Sequence, residues 1–278
     1  MLAEMGVRVW APIPAAPLAV AKPPAGRPAS APVATKAPAA APVVAPTADR
    51  PPAVVHPAPT PAAQPSVAAP APVATAIALT ARPSGIDTMD WPALREAVAN
   101  CRACALCEKR KNTVFGTGHV QADWFIVGEA PGENEDLQGE PFVGAAGQLL
   151  DNMLRAVGLS RSGEGAQGAY ISNVLKCRPP ANRNPQPAEV AQCAPYLARQ
   201  VALVQPKIII AMGRFAVQAL LQSNEPIGKL RGQVHRYQGV PVIVTYHPAY
   251  LLRTPSDKAK AWADLCLAME TANTPLRR

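Results

Sequence analysis

Four short apolar runs recur in the C-terminal two thirds of the chain, at 124–127 (WFIV), 170–175 (YISNVL), 207–212 (KIIIAM) and 240–246 (VPVIVTY). None alternates cleanly between apolar and polar positions. Each is rich in β-branched residues and bounded by glycine, proline or polar residues, the pattern of strands buried on both faces of a parallel sheet. Between them the period lengthens. In 145–157, Leu149, Leu150, Met153, Leu154 and Val157 recur at helical spacing. The stretch 187–204 opens on proline and stops before Pro206, and 214–222 and 258–271 predict two further helices. A helix over 90–99 precedes the first strand. Strands alternating with helices predict an α/β fold of three layers, αβα, around a central four-stranded, mainly parallel sheet. In such sheets ligands bind beyond the carboxyl ends of the strands.

Upstream the pattern vanishes. Between residues 11 and 85 lie 19 of the 33 prolines, in a Pro/Ala/Val tract with neither strand nor helix period. Such a tract cannot offset its ordering entropy by burial, so 11–86 is expected to be a disordered, partly polyproline-II linker. The folded domain is expected over 87–278. Residues 1–10 (MLAEMGVRVW) form a small apolar island ahead of the linker. They lack the basic start, continuous apolar core and small-residue cleavage site of a signal peptide, and no later run is long enough to span a membrane. A cytoplasmic protein without membrane contact is the expectation.

Charge alters this picture only slightly. The net charge is +8, and Lys22, Arg27, Lys36, Arg50 and Arg82 against Asp49 place half of the excess in the linker. The domain is therefore mildly basic, which permits nucleic-acid binding without demanding it. More informative is the first strand end. It runs into GEAPGENED, residues 128–136, with four carboxylates at Glu129, Glu133, Glu135 and Asp136. A glycine-punctuated loop after a strand often cradles phosphate. Carboxylates repel phosphate, so this loop holds something else. Asn173 and the run KCRPPAN close the second strand, and HPAYLLR follows the fourth. An acidic loop, an amide and a histidine thus converge on one rim.

The six cysteines are Cys101, Cys104, Cys107, Cys177, Cys193 and Cys266. A CxxC pair in a cytosolic chain points to metal rather than disulfides. Cys101 and Cys104 with Cys177 and Cys193 make a four-thiolate site for zinc or an iron–sulfur cluster, and spacing does not choose between them. Cys107 offers a third nearby thiol. Cys266 lies in an apolar helix and reads as a small core residue.

Taken together, CRAC, VFGTG, IVGEAPGENEDLQGEPFVGAAGQLLDNML, YISNVLKCRPPANRNP, Cys193, PKIIIAMG and HPAYLLR resemble, in this order, the type 4 uracil-DNA glycosylases, iron–sulfur members of the uracil-DNA glycosylase superfamily. The resemblance runs from about residue 90 to 269. It implies one structural [4Fe-4S] cluster on Cys101, Cys104, Cys177 and Cys193. It implies a monofunctional glycosylase of base excision repair that hydrolyses the N-glycosidic bond of deoxyuridine in single- or double-stranded DNA and leaves an abasic site. Glu129 matches the acid near the sugar and the attacking water, and Glu135 matches a second acidic position. Phe142 matches the aromatic that stacks on the flipped base, Asn173 the amide that reads the pyrimidine edge, and His247 the donor to uracil O2. Glu129, Ala130 and Asn182 fall at further uracil-site positions. Tyr250, Leu251, Leu252 and Arg253 match a loop that enters the base stack, and Lys176, Arg178 and Arg183 are candidate phosphate contacts.

Three features depart from or extend the pattern. Ala130 stands where the family often has glycine, so its Cβ narrows the approach to the pocket. The stretch 160–169 (SRSGEGAQGA) is long and reads as a solvent loop. A related branch links covalently to DNA through a histidine in a basic insertion after the second strand; here RPPANRNPQ contains no histidine, which argues against that branch. A monomer is expected, with residues 1–10 as a docking motif for a replication or repair partner. The alternatives are a non-catalytic DNA- or partner-binding protein on the same fold, or a glycosylase for another deaminated base.

Overall fold

The computed structural model describes residues 79–273. The apolar island 1–10 and nearly all of the proposed linker lie outside the described residues. The domain starts to pack just before its expected boundary. Ile86 is buried in a cluster with Leu94, Val98, Phe115 and Tyr196, and the Arg82 guanidinium reaches the Ala191 and Gln192 carbonyls.

Strands β1 (Trp124–Gly128), β2 (Ala169–Asn173), β3 (Ile208–Met212), β4 (Val234–Tyr237) and β5 (Val240–Thr245) form one sheet in the order β2-β1-β3-β5-β4. β2, β1, β3 and β5 are mutually parallel, and β4 pairs antiparallel with β5 at the edge. The expected four strands are all present; β4 makes a fifth. Its sequence, VHRY, is half exposed along its length, so it lacks the continuous apolar signal of a strand covered on both faces.

Eight α-helices are described: α1 (Trp91–Ala99), α2 (Glu133–Gln138), α3 (Gly144–Ala156), α4 (Pro187–Val204), α5 (Arg214–Leu221), α6 (Ile227–Leu230), α7 (Pro248–Arg253) and α8 (Lys258–Asn273). Successive strand residues point to opposite faces. Ile126, Ile208, Ile210 and Ile243 pack with Leu149, Leu150, Met153 and Leu154 of α3 and with Leu265 of α8. On the other face Phe125, Val127, Ile209, Val242 and Val244 meet Leu197 and Val201 of α4 and Val217 of α5. The three layers follow from that alternation.

The chain leaves β1 toward β2 on one side and later returns to place β3 on the other. The carboxyl ends of β1 and β3 therefore flank a topological switch point, where the flanking loops diverge and a crevice opens. At the far edge, the buried Asp264 carboxylate of α8 holds β5 and the turn before β4. It accepts from Arg231 at 2.9 Å and from the Thr245 hydroxyl at 2.8 Å. Asp264→Ala would leave a largely covered guanidinium without its carboxylate. A loss of about 3 kcal/mol in urea unfolding is expected, and an unchanged midpoint would show that this contact contributes nothing to the edge.

Candidate active site

A cleft of about 1060 Å³ opens at the switch point. Glu129 and Ala130 line it from the end of β1, Gly213 and Arg214 from the end of β3, and His247 from the end of β5. Asn182, Tyr250 and Arg253 complete that wall, and the segment 224–228 forms the facing lip.

The four carboxylates of the acidic loop have separate fates. Asp136 is buried and accepts from the Lys111 and Asn112 amides at 2.9 and 3.2 Å. Glu133 pairs with Arg178 at 3.3 Å. Glu135 spans the main chain, with Oε2 accepting from Gly132 N–H at 3.0 Å and Oε1 from Val143 N–H at 2.9 Å. Among these four carboxylates, only Glu129 lines the cleft. Burial raises its pKa above the ordinary carboxylate value, and the nearby Arg214 guanidinium pulls it partly back.

His247 caps α7. Its Nδ1 accepts the Ala249 amide proton at 3.2 Å. In a neutral ring this leaves the proton on Nε2, so the ring presents a donor on its other side. Burial, helped by the Arg253 charge, lowers the imidazole pKa to about 4, so the ring is neutral at physiological pH. It stacks on Phe142 with centroids 5.2 Å apart and planes 25° from parallel.

Phe142 adopts φ +54°, a left-handed conformation that is strained for an aromatic residue. Several contacts hold it there. Glu135 fixes the next amide. Gly147 lets α3 approach so closely that a Cβ there would lie 1.7 Å from the Phe142 carbonyl oxygen. Arg161 donates to the Pro141 and Phe142 carbonyls at 3.2 and 3.0 Å, and Asp151 anchors that guanidinium at 2.7 Å. Arg161 lies in the stretch expected to be a solvent loop; its side chain instead clamps the Phe142 turn.

Asn173 is only 3% exposed and does not line the cleft. A Cβ on Gly128 would lie 2.4 Å from its Oδ1 and 2.5 Å from the Phe142 ring, so this glycine is what lets amide and aromatic meet at the end of β1. The Asn173 carbonyl accepts from Lys176 Nζ at 2.7 Å, and that ammonium is bound further by Ser172 and Gln200. Lys176 is wholly enclosed, which lowers its pKa to about 7 against the pull of Cys193 and Cys177. It cannot reach phosphate from there, so the expectation that it contacts DNA is corrected. Arg178 instead bridges Glu133 and the Asn182 side chain, and Arg183 pairs with Glu189. The expected wedge is helical rather than a loop. Leu251 is fully buried in the core behind it, and Leu252 is 43% exposed.

Away from the cleft, Cys101, Cys104, Cys107, Cys177 and Cys193 line one small cavity with Arg110, Lys176 and Tyr196. Arg110 donates to Cys177 Sγ at 3.0 Å. Burial pushes the Cys177 thiol up to about 11 and the Cys193 thiol up to about 12. The Tyr196 hydroxyl is buried and makes no hydrogen bond. Among the described residues, no three His, Cys, Asp or Glu side chains gather closely enough to hold a single metal ion.

The site is thus an acid and a neutral histidine lining a cleft at the switch point of a parallel sheet, with a buried amide at the neighbouring end of β2 and a separate thiol-lined cavity. The family model of the uracil DNA glycosylase superfamily matches residues 115–266. A type-4 uracil-DNA glycosylase of Archaeoglobus fulgidus is 45% identical over 166 residues, covering 57% of this chain and 81% of the relative. Its namesakes in Sulfurisphaera tokodaii and Pyrobaculum aerophilum are each 42% identical, over 193 and 187 residues, covering 66% and 64% of this chain and 86% and 93% of theirs. The chain belongs to the uracil-DNA glycosylase superfamily, in its type 4 branch.

Sequence reasoning missed Gly128, Gly213, Arg214, Arg161 and the 224–228 lip. Gly213 and Arg214 carried a usable signal, since they follow the third apolar run as Glu129 follows the first. Arg161 carried none, because its partners are 10 to 20 residues away.

Between pH 6.5 and about 4 the unfolded chain binds a proton at residue 247 that the folded chain refuses, so acidification through that window destabilises the fold. A ring-nitrogen NMR titration is expected to report an Nε2–H tautomer with a midpoint near 4, whereas a midpoint near 6.5 would mean a solvated ring.

Proposed function

We propose that the protein is a monofunctional DNA glycosylase that hydrolyses the N-glycosidic bond of deoxyuridine in DNA, in base excision repair, with the cleft as its active site. The carrying observation is the pairing of a cleft-lining Glu129 with a neutral His247 whose Nδ1 is already committed. Breaking the C1′–N1 bond leaves oxocarbenium character on the sugar and negative charge on uracil. Glu129 stabilises the first and accepts a hydrogen bond from the water that adds to C1′. His247 Nε2–H donates to uracil O2 as charge develops there. Asn173 pairs with O4 and N3–H, and cytosine, which reverses that pattern, would leave the buried amide unsatisfied.

At 5.2 Å the Phe142 and His247 rings leave no room for a base between them. A flipped uracil displaces the imidazole from the face of Phe142 to the edge of the base, where Nε2 meets O2. Glu135 and Arg161 act by holding the Phe142 turn rather than by touching the base. Leu252, Tyr250 and Arg253 on α7 contact the DNA beside the flipped nucleotide, with Leu251 as their buried support. Asn182 and Ala130 border the same pocket.

The thiol-lined cavity suits a structural [4Fe-4S] cluster on Cys101, Cys104, Cys177 and Cys193. Thiols spread around a cavity fit a multi-iron cluster better than one ion, and Arg110, which already donates to Cys177 Sγ, would offset thiolate charge. Such a cluster would tie the segment before β1 to the loop after β2, and no step of the reaction uses it. The protein acts as a cytoplasmic monomer on single- or double-stranded DNA. The Pro/Ala tract tethers residues 1–10, which dock on a replication or repair partner.

The test is base release from an oligonucleotide with one uracil, followed by alkali to break abasic sites. Strand scission that requires both uracil and alkali is expected, and scission without alkali or none from iron-loaded protein would overturn the reading. Asn173→Ala and His247→Ala are each expected to lower kcat by about 10²–10³-fold. Arg161→Ala is expected to lower kcat/KM by about 10-fold with the fold intact, and Arg161→Lys to restore part of it. If Arg161→Ala loses stability and activity in parallel, the clamp is merely structural.

A further inference from the structure

Five thiols line the cavity, one more than a four-iron cluster takes. Cys107 is the extra one. It sits on a 3-10 turn, Ala105–Glu108, capped by Cys104, and its amide donates to the Cys104 carbonyl at 3.2 Å. Leu106, buried in the core below, holds the turn in place. Burial is unequal across the set: Cys101 and Cys104 are only partly covered, whereas Cys107 is 8% exposed. The CxxC pair is therefore the more accessible to solvent and Cys107 the more shielded. The buried Tyr196 hydroxyl lines the same cavity beside the Cys101 thiol, so the pocket already sets a polar group against its thiols.

We infer that Cys107 is a reserve cluster ligand that takes over the iron held by Cys104 when that bond opens. The inference rests on the cluster reading above. With a cluster bound, the iron–Sγ bond to Cys104 would break and one to Cys107 would form, and the Cys107 proton would pass to the departing Cys104 thiolate. The charge and oxidation state of the cluster are unchanged, and no other reactant is needed. The gain is retention: the more accessible ligand can be lost without loss of iron.

Iron and sulfide per chain, with the absorbance at about 400 nm, are measured on wild type, Cys107→Ala, Cys104→Ala and the double variant. Wild type and Cys107→Ala are expected to hold equal iron, Cys104→Ala to keep most of it, and the double variant to lose it. Equal loss from Cys104→Ala and the double variant overturns the reserve role, as does iron loss from Cys107→Ala alone, which would make Cys107 a primary ligand. Zinc, or no iron, in the wild type overturns the cluster reading itself. Iron release to a chelator, compared in wild type and Cys107→Ala, serves if Cys104→Ala fails to fold. The variant is expected to release iron about 10-fold faster, the lower end of what a supporting residue contributes at a metal site. Equal rates overturn the proposal.

Discussion

Everything at the cleft depends on one close approach. At the end of β1 the absence of a side chain on Gly128 lets the Asn173 amide and the Phe142 ring occupy the same small volume. That contact fixes where β2 must deliver Asn173 and forces the turn after α2 into the left-handed conformation of Phe142. A conformation that an aromatic residue avoids persists only where its surroundings over-determine it. Here the Glu135 carboxylate, the Arg161 guanidinium and the bare Cα of Gly147 do so from three directions. His247 then packs on the ring so held, and Gly213, with φ +89° and the His247 Cβ beside it, makes room for the histidine from below.

The acidic loop shows how burial sorts residues of one chemical type. Two carboxylates are consumed by main-chain amides and a third by an arginine, each contact giving local order. The fourth, Glu129, is left half-buried at the cleft with Arg214 as its charged neighbour. A partly desolvated carboxylate interacts more strongly with developing positive charge than a solvated one. The neutral imidazole of His247 adds no permanent cation to the same cleft. The two pKa shifts run in opposite directions from one cause, loss of water, which favours the uncharged form of each group.

The same economy marks the thiol cavity. Arg110 brings positive charge to a pocket whose burial holds the Cys177 and Cys193 thiols protonated. Lys176 also joins the two sites, since its ammonium is bound to the carbonyl of Asn173 while the next residue is Cys177. The stretch 173–177 therefore carries both the last residue of β2, Asn173, and the cavity thiol Cys177.

The sequence alone determined the layers and much of the rim. Runs such as 208–212 are too apolar to be anything but covered strands, and residues just past parallel strands are bound to meet at one end of the sheet. Glu129, Asn173 and His247 were singled out for that reason and by family resemblance, whereas the CxxC spacing marked only Cys101 and Cys104, and the resemblance added Cys177 and Cys193. β4 was not legible, because an edge strand needs no continuous apolar face, and α7 was read as a loop although Pro248 follows a capping histidine. Only the tertiary structure decided what the other three acids bind, that Leu251 points inward, that Lys176 is enclosed, and that Arg161 clamps Phe142. Those outcomes depend on volumes and hydrogen bonds between residues 10 to 85 apart in the chain, and periodicity along a sequence carries no record of them.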